Sequence, residues 1–458
     1  MDSVAIAPML WEWGLILVPL LYLVMRRPTV GLVASYCFQM WMLYWLGALI
    51  HAFPWVELPD KEYVVLGFRQ ATWGMAAFAV GALLAGPAFG GAMLGKGVPK
   101  TVPDGFQVEM DPAKARKYIS MGLIAYFVLG PTLGHITGLQ AVPSAASQLV
   151  VTGCCLQSWM AWHKDGKAGL LHTLPQTLLI PMVTVVGKGF MSYGVLALST
   201  IMLFVAQFFR PRWILLVGGV IAAYMGLTVY VTYMRDRDDI RGAVWYAEGG
   251  AGGSLSLRLK TAWHTASTLD LFDPKNEDQL SYIDGRLNQN GLVGAAVDNL
   301  SGTGEYLNGS TIRDALLAMI PRLIWRNKPI QAGSGTQGGS GSLVTELTGI
   351  EFGSGTSVGI GPVLEFYGNF GTTGVLVGFF VLGILISGLD FCAGVYLRLG
   401  NWTMFTCFFL VGISCLNVSG SLVEITAGAM ASVVVAVVVR RRESSPSQAP
   451  RPVEASAL

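Results

Sequence analysis

Apolar runs of about twenty residues, broken by short polar turns, fill the first 233 residues of the chain and resume after residue 356. A membrane-crossing helix needs about 20 mostly apolar residues. Eleven segments approach that length: 8–25, 31–53, 70–91, 118–137, 144–162, 168–187, 190–209, 213–233, 372–390, 401–419 and 422–439. The expected fold is an all-α polytopic membrane protein with about 11 (10–12) transmembrane helices and one large, partly helical outer loop. No internal repeat is visible, so an inverted-repeat transporter is not indicated.

The pattern divides the chain into four parts. Residues 1–233 form an N-terminal membrane bundle of about eight spans, 234–355 the large loop, 356–440 about three C-terminal spans, and 441–458 a polar tail expected to be disordered. The loop holds eleven Lys and Arg against fourteen Asp and Glu, a mixture that reads as soluble. Three helices are expected in it, at 253–272, 280–300 and 310–325. Leu255, Leu259, Trp263 and Ala266 recur at helical spacing in the first, and Thr311 with Asp314 resembles a capping box at the start of the third. Pro321 forbids a regular continuation of that third helix and pushes Ile320 toward an extended conformation.

Composition agrees with the pattern. Only 13% of residues are charged, against about 25% in soluble domains, and the mean hydropathy is +0.54. A formal net charge of +2 suggests no nucleic-acid partner. The six cysteines all fall in apolar runs and form no CxxC pattern. The first apolar run ends in Arg26-Arg27-Pro28 without a small-residue cleavage site.

Charge also sets the expected orientation. Sixteen Lys and Arg, from Arg26 to Arg451, lie on one set of loops, while the opposite short loops and span edges hold only Lys61, Arg69 and Lys188. The positive-inside rule makes the first set cytoplasmic. The N-terminus and the 234–355 loop are then expected on the outer face of the membrane.

Two stretches carry candidate chemistry. In "IPRLIWRNKPIQAGSGTQGGSGS", 320–342, Arg322, Arg326 and Lys328 follow closely on Arg313. Guanidiniums stay ionised when partly desolvated and match phosphate geometry, so this group suits a lipid-linked pyrophosphate; the same residues also suit simple interfacial anchoring. The Gly/Ser run lacks the lysine of a phosphate-binding loop and reads as a linker. In "SVGIGPVLEFYGNFGTTG", 357–374, Glu365 and Tyr367 stand at the edge of the next span, where an ionisable residue is costly without a partner.

The remaining polar residues are read more plainly. Arg258 and Arg286 mark solvated helix faces with a secondary chance of touching substrate, and Arg69 either faces a substrate cavity or snorkels. His264 has no second ligand nearby, so no metal site is expected. The interleaved charges of "DRDDIRG", 236–242, read as a self-paired cluster. Most tryptophans near span ends read as belt anchors.

These two stretches resemble the bacterial O-antigen polymerases, the Wzy-type oligosaccharide repeat-unit polymerases. The family's I-P-R-x-x-W-x-x-K-P segment corresponds to Ile320-Pro321-Arg322, Trp325 and Lys328-Pro329, and its G-x-x-x-E-x-Y-x-N-F-G segment to Gly361, Glu365, Tyr367, Asn369, Phe370 and Gly371. The match covers about fifty residues; Trp325-Arg326 departs from the family's W-P. The resemblance implies polymerisation of undecaprenyl-pyrophosphate-linked repeat units, with donor and acceptor both lipid-linked and no cofactor. It further implies a chain-length regulator and a flippase as partners. It assigns Arg322 and Glu365 to catalysis. Arg313, Arg326, Lys328, Tyr367 and Asn369 are the substrate-binding candidates, with Arg258, Arg286 and Arg69 as secondary candidates from their own positions and Asp284 and His264 as reserve bases. Two rivals share the setting: an O-antigen ligase transferring glycan to a lipid A core, and a lipid-linked glycan transporter or flippase.

Overall fold

The computed structural model describes residues 3–95, 97–99, 110–133, 141–209, 213–246, 253–320, 325, 339–352 and 358–444. Among these the chain is helical throughout, with no strand. Helix α1 is Ser3–Val24, α2 Leu32–His51 and α3 Lys61–Met93, the last two each passing through one π-helical turn. Helix α4 covers 112–133. There follow α5 (Ala141–Ser147), α6 (Leu149–Thr177), α7 (Leu179–Lys188), α8 (Ser192–Ala206) and α9 (Trp213–Arg235). The central region holds α10 (Arg237–Arg241), α11 (Leu255–Ser267), α12 (Glu277–Leu287), α13 (Asn290–Thr303), α14 (Ser310–Ala318) and α15 (Gly339–Thr348). Helices α16 (Gly361–Arg398), α17 (Trp402–Ser414) and α18 (Leu422–Ser444) complete the described chain.

Among the described residues seven helices or continuous helical runs are long and apolar enough to cross a membrane, and α8 and α17 are shorter apolar helices. Two of the seven runs are not straight rods. In α6 the backbone breaks at Gly166 (φ 59°, ψ −132°). A Cβ at Gly169 would run into the carbonyl oxygen of Ala161, although residues eight apart on a straight helix are separated by about 12 Å. The chain therefore reverses at Gly166, between the expected spans 144–162 and 168–187.

Helix α16 reverses in the same way at Phe370-Gly371, where Gly371 has φ 60° and ψ −150°. A Cβ at Gly374 would meet the carbonyl oxygen of Phe366, and one at Gly378 would come within 2.5 Å of the Phe366 ring. This backbone region is essentially restricted to glycine. The outcome is a hairpin: a long limb, 372–398, and a short limb, 361–369, folded back along it. The expected span 372–390 is the long limb.

The long limb packs on α3 through small residues. Gly383 sits against the Phe78 carbonyl, Gly81 against the Phe380 carbonyl and Gly86 against Ser387, whose hydroxyl donates to the Ala82 carbonyl at 2.9 Å. Small residues let helix backbones approach closely where lipid offers no hydrophobic drive to associate.

Part of the 234–355 region is sunk into this bundle rather than standing apart from it. Helix α13 lies on α3, with Gly67 against the Asn290 carbonyl and Gly294 against that of Tyr63. Val293, Ala296 and Leu300 of α13, with Val344 and Leu347 of α15, join the main apolar core. Helix α12 seats Leu280 and Ile283 against Leu46, Ile50, Val56 and Val231.

The local expectations need three corrections. The helix expected at 280–300 splits into α12 and α13, because Asn288 is extended (φ −122°, ψ 100°) and its side chain accepts from the Asn290 amide at 3.0 Å. Thr311 does not cap α14: Gly309 holds the cap position in the left-handed region, without a side-chain bond. The Gly/Ser run is not a linker throughout, since 339–342 open α15 and the Ser340 hydroxyl exchanges 2.7 Å hydrogen bonds with both backbone groups of Val358.

Candidate functional site

The short limb of α16 is buried from Gly361 to Asn369. Glu365 at its centre is 1% exposed. Its Oε2 accepts the backbone N–H of Leu422, the first residue of α18, at 2.7 Å. A helix N-terminus leaves amides without intrahelical partners and favours negative charge, so this carboxyl has a definite anchoring role. Asn369, one turn on, donates through Nδ2 to Thr311 Oγ1 and to the Glu365 carbonyl, both at 2.7 Å. Its Oδ1 is buried without a hydrogen-bond partner among the described residues. Thr426 of α18 donates to the Ala315 carbonyl of α14 at 2.7 Å, which closes α14, α16 and α18 into one corner.

The hairpin turn is clamped from outside. The Leu307 amide donates to the Gly368 carbonyl at 2.9 Å. Tyr306 lies against Gly371, and its ring centroid is 6.3 Å from that of Tyr367. Tyr367 is itself 5% exposed. Glu365, Tyr367 and Asn369 therefore come together as the sequence pattern grouped them, in a packed wall rather than an open cleft.

The accessible carboxylate of this corner is Glu424. It is exposed, and with Asp314 it acts electrostatically on Glu365 from nearby. Ser421 Oγ accepts the Glu424 amide at 3.2 Å, the N-cap half of a capping box spelled Ser421-Leu422-Val423-Glu424. That S-x-x-E pattern before an apolar run is legible in the sequence.

The cations are more dispersed. Arg313 on α14 is exposed, with its guanidinium 3.6 Å from Asp314. Arg322, Arg326 and Lys328 lie outside the described residues, and Trp325 between them is exposed. Arg69 is exposed on α3 with no ion pair among the described residues. Arg258 turns back on its own helix start, donating to the Gly253 carbonyl at 2.9 Å. Arg286 lines a separate cleft on α12. Of the reserve bases, His264 is exposed on α11, while Asp284 is held 2.7 Å from the buried His51 and 2.7 Å from Asn288. No group of three metal-ligating side chains occurs among the described residues.

Residues 101–419 match the family described as "Domain of unknown function (DUF8712)". The chain belongs to this family. The matched region holds Thr311, Glu365, Tyr367 and Asn369 and stops just short of α18, so this DUF8712 corner is completed by a helix beyond the match. No curated protein and no solved structure matches the chain.

The other end of α16 repeats the anchoring device. Asp390, 2% exposed, accepts the Thr29 hydroxyl at 2.5 Å and the amides of Val30 at 2.8 Å and Leu32 at 3.1 Å, at the start of α2. One helix thus carries two carboxyls, each seated on the first turn of another helix. The first lies near the exposed Glu424; the second is sealed in protein.

Proposed function

We propose that this protein is a membrane glycosyltransferase that polymerises polyprenyl-pyrophosphate-linked oligosaccharide repeat units. In this reading eleven spans place the N-terminus and the 234–355 region on the periplasmic face of a bacterial inner membrane, with the C-terminus in the cytoplasm. The observation that carries the reading is the hydrogen-bond chain from Thr311 through Asn369 to the Glu365 backbone, at the Gly371 reversal of the G-x-x-x-E-x-Y-x-N-F-G segment.

The chemistry follows from the groups present. An acceptor sugar hydroxyl attacks the anomeric carbon of the growing chain, the bond from that carbon to the pyrophosphate oxygen breaks, and polyprenyl pyrophosphate leaves. Guanidiniums at Arg322, Arg313 and Arg326 stabilise the charge building on the leaving oxygen, each well-placed donor contributing about 3 kcal/mol. The hydroxyl proton passes to the carboxyl pair of Glu365 and Glu424. Glu365 is pinned to Leu422, so the exposed Glu424 is the member with access and Glu365 sets its position.

The test is genetic and chemical together. Arg322→Ala is produced in a host lacking the wild-type protein, with membrane insertion checked, and its surface glycan is resolved by length. The reading expects glycans arrested at a single repeat. Normal chain lengths overturn it; loss of all glycan from the lipid core indicates the ligase instead.

A further inference from the structure

A second polar concavity lies away from the Glu365 corner, where α9 ends. It is a cleft of about 290 Å³ between the last turn of α9, α10 and the end of α12, lined among others by Arg235, Arg237, Asp238, Ser281, Tyr282 and Arg286. We propose that this cleft binds the phosphate of an anionic lipid headgroup.

Three observations carry the assignment. The first is charge. Arg235 is neutralised by a two-pronged bond to Asp236 at 2.8 and 3.2 Å and tied to Thr268 at 2.9 and 3.0 Å. Arg237 has only a 4.0 Å approach to Asp238, whose side chain is 95% exposed and free to swing away. Arg286 has no ion pair among the described residues. Two guanidiniums with spare donors therefore face one shared space, flanked by the hydroxyl-bearing Ser281 and Tyr282. Guanidinium forks bind phosphate oxygens through paired charge-assisted bonds.

The second observation is depth. The spanning run Val217–Arg235 ends at the cleft itself, which is the level of the headgroup layer for a helix that long. The third is the helix that carries it. Val220, Ile221 and Met225, three to four turns back along the same helix, are 64%, 59% and 43% exposed, so the cleft sits at the end of a helix with apolar surface available to acyl or prenyl chains.

Gly285 supplies a clean perturbation. It lines the cleft, and a Cβ there would meet nothing within 4 Å. Gly285→Glu thus adds a carboxylate to the cleft lining at a position with room for its Cβ, and Gly285→Ala serves as its control. The purified protein, the two Gly285 variants, Arg286→Ala and Arg237→Ala are titrated with phosphatidylglycerol, a polyprenyl phosphate, phosphatidylcholine and inorganic phosphate. Retained ligand is read by native mass spectrometry.

The wild-type and Gly285→Ala proteins are expected to retain phosphatidylglycerol or the polyprenyl phosphate over phosphatidylcholine, and Gly285→Glu and Arg286→Ala to lose about tenfold in apparent affinity. Retention of phosphatidylglycerol identifies a bulk phospholipid as the source, and retention of the polyprenyl phosphate alone identifies the carrier lipid. Equal retention of both lipids by wild type, Gly285→Glu and Arg286→Ala overturns the proposal, as does binding of inorganic phosphate without either lipid. Glycan lengthening is not read in this experiment, so its outcome is independent of the glycosyltransferase reading.

Discussion

Replacing Glu365 separates an anchoring carboxyl from a chemical one. In Glu365→Ala the Leu422 amide loses its 2.7 Å acceptor at the head of α18. A buried donor left unpaired costs about 1–3 kcal/mol. Glu365 is 1% exposed, so most of this is expected as lost stability. Glu365→Gln keeps a carbonyl oxygen for Leu422 and is expected to cost about 1 kcal/mol or less. Thermal unfolding in detergent, followed by tryptophan fluorescence, ranks the variants. The expected order is wild type, then Gln close behind, then Ala well below. An Ala variant as stable as wild type refutes the anchoring role. A Gln variant as weak as Ala shows that the charge, rather than the acceptor oxygen, holds α18.

Other outcomes follow from the same reasoning. Asp390→Ala strips three donors of their shared acceptor and is expected to cost about 3–6 kcal/mol; expression and unfolding temperature report it, with Asp390→Asn intermediate. Gly371→Ala forces an L residue into φ 60°, ψ −150°, a strain of about 1–3 kcal/mol, so the hairpin opens first and protease sensitivity rises near 370 before global unfolding. The Arg235 guanidinium holds the Asp236 carboxyl below its ordinary range. Its contribution is therefore fully present above the usual Asp pKa of about 4 and lost as pH falls through the depressed folded value; Asp236→Asn is expected to flatten that acid limb of the stability profile.

The sequence displayed some of this plainly and concealed the rest for physical reasons. Hydropathy located the long limb of α16, and Gly166, between Lys164 and Lys167, sat in an evident polar break. The reversal at Gly371 was hidden because apolar residues continue on both sides of it, so one long apolar helix and a hairpin share a single pattern. Charge made 234–355 look soluble, yet helix α13 enters the core through Gly294, where a missing side chain lets it reach the Tyr63 carbonyl. Periodicity does not register a residue whose contribution is its lack of bulk. The grouping of Glu365, Tyr367 and Asn369 was readable as a motif, but their partners were not. Leu422 lies 57 residues from Glu365, and Thr311 lies 58 from Asn369. Asp390 passed unnoticed because its acceptors serve amides some 360 positions away.

The most direct measurement is lengthening of a glycan by the isolated protein. Purified protein is reconstituted in liposomes with a labelled polyprenyl-pyrophosphate-linked oligosaccharide as the only sugar source, and products are separated by size. The account predicts a ladder of multiples of the starting oligosaccharide with release of polyprenyl pyrophosphate, reduced at least about a hundredfold in Arg322→Ala. A starting oligosaccharide that crosses the bilayer without growing, or a ladder unchanged in Arg322→Ala, contradicts it.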